Sequence, residues 1–154
     1  MISVDEFLAY CDSALDGYAA IVRQLGDDLV NTRLDDVPAT NTAAALVTHA
    51  CGVMAHWGST VNRGVVVPRD RDAEFTATGT VEELLALLDA GRARLHDDVR
   101  AASPREAPVN PPARKDDLEG YATQGDVLLH VYEELAQHLG QLEVTRDVVL
   151  SRQG

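Results

Sequence analysis

Positive charge is scarce in this sequence: 13 lysines and arginines stand against 25 aspartates and glutamates, a formal net charge of -12. Such a surface repels phosphate backbones, which excludes nucleic-acid binding as a main role. Lys115 is the only lysine, and with abundant alanine, valine and aspartate this skew suggests a GC-rich genome. No apolar run approaches the roughly 20 residues of a membrane-spanning helix. The opening MISVDEFLAY is acidic and lacks the basic-then-apolar order of a secretory leader. We therefore expect a cytoplasmic protein with no membrane partner. Cys11 and Cys51 are the only cysteines, too few for a disulfide framework, and each falls where a free cysteine packs as a small apolar side chain. No stretch alternates like a strand and no segment repeats. What remains is one domain, residues 1–154, long enough to bury a core without staples.

What is present is helical periodicity. Ser3-Val-Asp-Glu6 is a capping box, and Leu8, Cys11, Leu15, Tyr18, Val22 and Leu25 follow at helical spacing until Gly26 supplies a stop. The polar stretch Asp27 to Ala39 reads as a loop with room for a helical turn around Asp28 to Asn31. A second helix is predicted from about Thr42 to Asn62, with the seam Leu46, His49, Ala50, Val53, His56, Trp57 and Val61. Residues 63–79 form a long connection whose charges Arg69, Asp70, Arg71 and Asp72 read most simply as solvated. That connection can run back along a helix, so the second and third helices need not be antiparallel neighbours. A second capping box, Thr80 to Glu83, opens a helix with the seam Leu84, Leu88, Gly91, Leu95 and Val99, and His96 falls on its flank as a surface histidine. Pro104, Pro108, Pro111 and Pro112 exclude regular structure between Ser103 and Ala122. The expectation is an all-α fold, a four-helix bundle.

The last helix, Thr123 to Leu150, carries the chemistry. Its seam runs through Val127, Val131, Leu135, Leu142 and Val149, and Glu134 and His138 lie on or beside it. Four residues apart, they share one helix face and can share one ion. His130 lies one turn earlier. His130 and His138 are about 12 Å apart along the axis, too far for one ion, so the helix offers either His130 with Glu134 or Glu134 with His138. The second helix offers His49 or His56, about 10 Å apart, and one ion can use only one of these. Cys51 lies about 200° around the helix from His49, which argues against a shared site.

TNTAAALVTHACGVMAHW at 40–57, RDRDAEF at 69–75 and EELAQHLGQLEVTRD at 133–147 together resemble the DinB-like superfamily of metal-binding four-helix bundles. Within it they resemble the branch of mycothiol-dependent maleylpyruvate isomerases and thiol S-transferases, which has glutamate at the position of Glu134. The resemblance implies an up-down-down-up bundle with a long crossover, often dimeric, so a homodimer is a possible assembly. It also implies a divalent metal on His49, Glu134 and His138, and a low-molecular-weight thiol such as mycothiol as co-substrate. The chain departs from many members of the branch at Gln141 and Glu143, where they have histidine and aspartate. His130 recurs in related sequences and is a candidate for the open side of the metal.

Two histidines and a carboxylate are the ligand set of several catalytic zinc sites, and nickel, iron or manganese also suit such donors. The expected activity is a thiol S-transferase or isomerase that adds an activated thiol to an electrophilic small molecule. Arg69, Arg71 and Arg146 are candidates to anchor a carboxylate of thiol or substrate. Two other readings stand beside this one. One is a metal hydrolase, in which Glu134 is a ligand and not the base; the other is a non-catalytic metal- or small-molecule-binding bundle, a stress or resistance protein.

Overall fold

The computed structural model describes residues 2–37, 40–112 and 121–153. Pro38, Lys115 and the 113–120 part of the proline-rich connection lie outside the described residues. Among the described residues the regular structure is entirely helical, and no helix is long and apolar enough to cross a membrane.

Helix α1 spans Val4–Leu29 behind the expected capping box: the Glu6 amide donates to Ser3 Oγ at 3.1 Å and the Ser3 amide donates to Glu6 Oε2 at 2.7 Å. Gly26 takes φ 67°, a left-handed conformation that breaks the helix there, and one further turn follows before Val30. Helix α2 spans Ala43–Val53, capped by Thr42. It continues as a π-helical segment, Met54–Asn62. The connection 63–80 holds a single helical turn, α3, Arg71–Glu74. Helix α4 spans Val81–Ala101 and helix α5 spans Gln124–Ser151, each opened by a capping box, with Thr80 and Glu83 at one and Thr123 and Asp126 at the other.

The pairing follows from contacts along each seam. Asp27 accepts from the Val81 amide at 2.6 Å, while Arg92 and His96 further along α4 reach back to Asp12, so α1 and α4 run antiparallel. Here His96 is half-buried and bonded to Asp12 at 2.9 Å, not the surface histidine its flank position suggests. Phe7 packs edge-on to Tyr132 and the buried Tyr18 hydroxyl donates to the Leu135 carbonyl at 3.0 Å, so α1 and α5 run side by side in one direction. Cys51 lies beside Gly91, and Ser59 donates to Asp98 at 2.6 Å, which runs α2 and its π segment parallel to α4. His49 meets His138, and the Asn62 amide donates to the Gln124 carbonyl, which makes α2 and α5 antiparallel. Leu15, Tyr18, Leu46, Leu88, Leu95, Leu135 and Leu142 are buried where these faces meet. Each such side chain contributes about 1.5–3 kcal/mol relative to exposure.

The capping box on α4 offers a control for the site experiments below. Thr80→Ala removes the Glu83 amide's acceptor and should cost about 1 kcal/mol. For a chain of this size that lowers the melting temperature by about 2–4 °C. Metal content should not change; an unaltered melt would mean the cap contributes nothing.

The π segment changes what the site receives. In a regular helix, seven residues bring the chain almost back to the same face, so His56 would follow His49. Each π turn takes an extra residue, and such segments are frequent at functional sites. Trp57 now faces α5, 4.9 Å ring to ring from His130, and His56 lines a cleft of about 290 Å³ on the other flank of α2 with Arg69 and Arg94. The expectation that His49, His56 and Trp57 share one core-facing seam is corrected by this change of register, which keeps Trp57 with His49 and turns His56 away.

A candidate metal centre between α2 and α5

His49, Glu134 and His138 meet across the α2–α5 groove, each offering a ligand atom within 4.8 Å of the others. Glu134 Oε2 lies 3.6 Å from His49 Nε2 and 3.4 Å from His138 Nε2. These are close to the edge of a tetrahedron drawn with metal bonds of about 2.1 Å. The alternatives open in the sequence divide on geometry: His130 and His56 are not part of this cluster.

The far side of each imidazole is held. His49 Nδ1 lies 2.8 Å from Glu74 Oε2, and His138 Nδ1 lies 3.0 Å from Gln141 Oε1. Both partners are acceptors, so each Nδ1 carries a proton, and in the neutral ring each Nε2 presents a lone pair toward Glu134. Burial pushes the His49 pKa down, against the opposing bond from Glu74, which favours the neutral ring a metal needs. With both rings neutral, three acceptor atoms converge with no proton donor among them. A cation satisfies that arrangement, and a hydrogen-bonded core histidine pair does not require it.

Glu74 is buried, and Arg69 clamps it from behind with Nε to Oε1 at 2.6 Å and Nη2 to Oε2 at 2.9 Å. Burial opposes ionisation of the Glu74 carboxyl, but the hydrogen bonds from Arg69 and His49 outweigh it and hold its pKa below the ordinary range. Phe75 covers the His49 ring at 4.7 Å, and the Arg71 guanidinium lies over the outer face of Phe75 at 5.3 Å. The segment 69–75 is thus a wall packed against His49, and only its Asp70 to Ala73 portion has the solvated character its charges suggest.

The candidate anchors part company here. Arg69 is committed to Glu74. Arg71 is exposed beside the centre and has no carboxylate partner among the described residues. Arg146 is paired with its neighbour Asp147, two turns beyond His138. His130 lies one turn from Glu134 in a cluster with Trp57 and Tyr121. Gln141, at one of the departures from the branch, is the partner of His138, and Glu143 is exposed on the other side of α5.

Glu74 was not singled out by sequence reasoning. Its signal is faint: one acid among alternating charges, with an aromatic after it, in a segment that periodicity leaves unassigned. Nothing local says that the segment folds back onto α2.

Cys11 and Cys51 are buried, and burial is the main reason both thiols are pushed up to about 12, with help from Asp12 and Glu74 respectively. Neither is a nucleophile at neutral pH.

No curated protein matches the chain, and no solved structure does. A family model described as Mycothiol-S-transferase matches residues 6–150, which takes in α1 through nearly all of α5 and every side chain of the centre. The chain belongs to the Mycothiol-S-transferase family.

Proposed function

We propose that this protein is a divalent-metal-dependent thiol S-transferase that adds a low-molecular-weight thiol, mycothiol in its family, to an electrophilic small molecule. The observation that carries the reading is the pair of histidines turned Nε2-first onto Glu134, each fixed through Nδ1 by Glu74 or Gln141. His49, Glu134 and His138 would hold the ion, with zinc the ordinary choice for this donor set and nickel, iron or manganese compatible with it. When bound, the ion supplies the positive charge that lowers a thiol's pKa and favours the nucleophilic thiolate.

The chain's own residues do the rest. Because Cys11 and Cys51 stay protonated, the attacking sulfur is the co-substrate's, and no covalent enzyme intermediate forms. Phe75 covers the ring of buried His49 and keeps water from that face. Arg71 is placed to meet a carboxylate of an incoming molecule. Isomerisation by addition, rotation and expulsion of the thiol needs the same activated sulfur. We also infer an up-down-down-up bundle for the long helical elements, supported by the parallel α1–α5 and α2–α4 pairs and by the long connection over α3.

Untagged protein purified without added metal should carry about one transition-metal ion per chain, and chelation should abolish thiol-dependent consumption of a chloro-nitroaromatic or bimane electrophile, with zinc restoring it. Activity that survives complete removal of metal would refute the metal dependence. Hydrolysis of activated esters without thiol would favour the hydrolase reading. Metal binding with neither activity would leave a binding protein.

A further inference from the structure

One turn from Glu134 toward the start of α5, the groove changes character from ionisable ligands to rings. Trp57, Tyr121 and His130 pack with centroids 4.7 to 4.9 Å apart in every pairing, and all three are half-buried. His130 is four residues before Glu134, about 6 Å along the axis on the same face. Trp57 reaches this end only because of the π segment. Further along the same two elements, buried Asn62 donates to the carbonyl of buried Gln124 at 3.1 Å.

Among the described residues, the polar groups of these three rings are uncharged when His130 is neutral. The Tyr121 hydroxyl lies 3.2 Å from His130 Nδ1. With the phenol donating to Nδ1, the proton of His130 sits on Nε2, where it can donate outward. Glu133, a carboxylate at the rim, is 60% exposed and 3.5 Å from Nδ1. An anionic group would meet Glu133, whereas a flat ring meets ring faces and edges.

We propose that this ring-lined end seats the electrophile and selects a flat, conjugated molecule bearing an uncharged carbonyl, such as an aryl enone or a quinone, over an aliphatic one. The inference rests on the thiol-transfer reading and names its electrophile class. His130 Nε2–H donates to the carbonyl oxygen, and Trp57 sets the plane of the ring system. In the addition a sulfur–carbon bond forms and the C=C electron pair moves toward the carbonyl oxygen. The proton lost by the thiol returns at the carbon beside the carbonyl, so the product is the sum of thiol and electrophile. Negative charge on that oxygen grows in the transition state, where a fixed donor is worth most.

Trp57 is the only tryptophan in the chain, so its emission reports on this subsite directly. Acetophenone, a flat ketone that does not react with thiols, should quench the emission of the zinc-loaded protein saturably. Cyclohexanone should fail to displace it at tenfold higher concentration. His130→Ala should raise the half-saturation at least tenfold, and Tyr121→Phe, which keeps the ring and removes the hydroxyl, about threefold. Quenching that rises linearly without saturating, or a half-saturation unchanged in both variants, would overturn the proposal. No thiol takes part in the measurement. Saturable quenching in a protein without thiol turnover would sink the transferase reading and keep the subsite, and thiol turnover without saturable quenching would do the reverse.

Discussion

Replacing His49 with alanine should remove the bound ion and also cost about 2–4 kcal/mol of stability in the metal-free protein, through the cavity and the broken bond. His138→Ala should remove the ion while costing no more than about 1 kcal/mol. The asymmetry comes from burial. His49 is 3% exposed, wedged among Phe75, His138 and the buried Glu74, and its loss strips one of the hydrogen bonds that keep Glu74 ionised there. Arg69 remains to pair with that carboxylate, which limits the damage. His138 is half-buried, its partner Gln141 can turn to water, and alanine is the better helix former at an α5 position. Elemental analysis reads the first effect and urea unfolding of metal-free protein the second. Stoichiometric metal retained by both variants would remove His49 and His138 from the ligand set. Equal stability of metal-free His49→Ala and wild type would mean the His49–Glu74 bond contributes nothing to the fold.

The parts of this protein that sequence made legible are those fixed within a few residues. Capping boxes at Ser3 and Thr80 and the stop at Gly26 are local contracts between neighbouring atoms, and the structure keeps each of them. Helical periodicity likewise put Leu84, Leu88, Leu95 and Val99, and Val127, Val131, Leu135, Leu142 and Val149, in the core. It also put Glu134 and His138 on one face, and the resemblance then selected His49 from two candidates. What stayed hidden depends on distance or on register. The π segment adds a residue per turn, and the lone Gly58 in MAHWGSTVN does not announce it, so periodicity leaves His56 beside Trp57 on one seam where the structure keeps only Trp57 on the α5 side. Arg69 read as an anchor for a ligand because its partner, Glu74, takes its meaning from His49, 25 residues away across a loop. Gln141 looked like a departure from a pattern, and it is the acceptor that turns His138 toward the centre.

Gly52→Ala tests that loop contact without touching a ligand, and it should weaken zinc binding about 10–100-fold, the usual effect of losing a partner behind a ligand. Gly52 lies on α2, three residues after His49, under the loop. A methyl group there would land on Glu74 Oε1, 2.7 Å from its carboxyl carbon and 3.3 Å from Arg69 Nε. An isolated carboxylate at the end of a flexible side chain would swing away at little cost. This one is held from two sides, by Arg69 and by His49, so it can yield only by leaving one of them. The helix itself gains, because alanine is better than glycine inside a helix by about 1 kcal/mol. Fold stability should therefore change little while metal affinity falls, a combination that general destabilisation does not produce. A cycle with Glu74→Ala locates the cause: if the methyl acts through the carboxylate, adding Gly52→Ala to Glu74→Ala should weaken zinc no further. Competition against a chromophoric chelator measures all four proteins. Wild-type affinity in Gly52→Ala would show that His49 needs no acceptor behind it. Additive losses would show that the methyl disturbs α2 directly. The expected result, a loss in the single variant and none added in the double, would mean that the bare backbone at position 52 is what lets a loop carboxylate reach the back of the ligand.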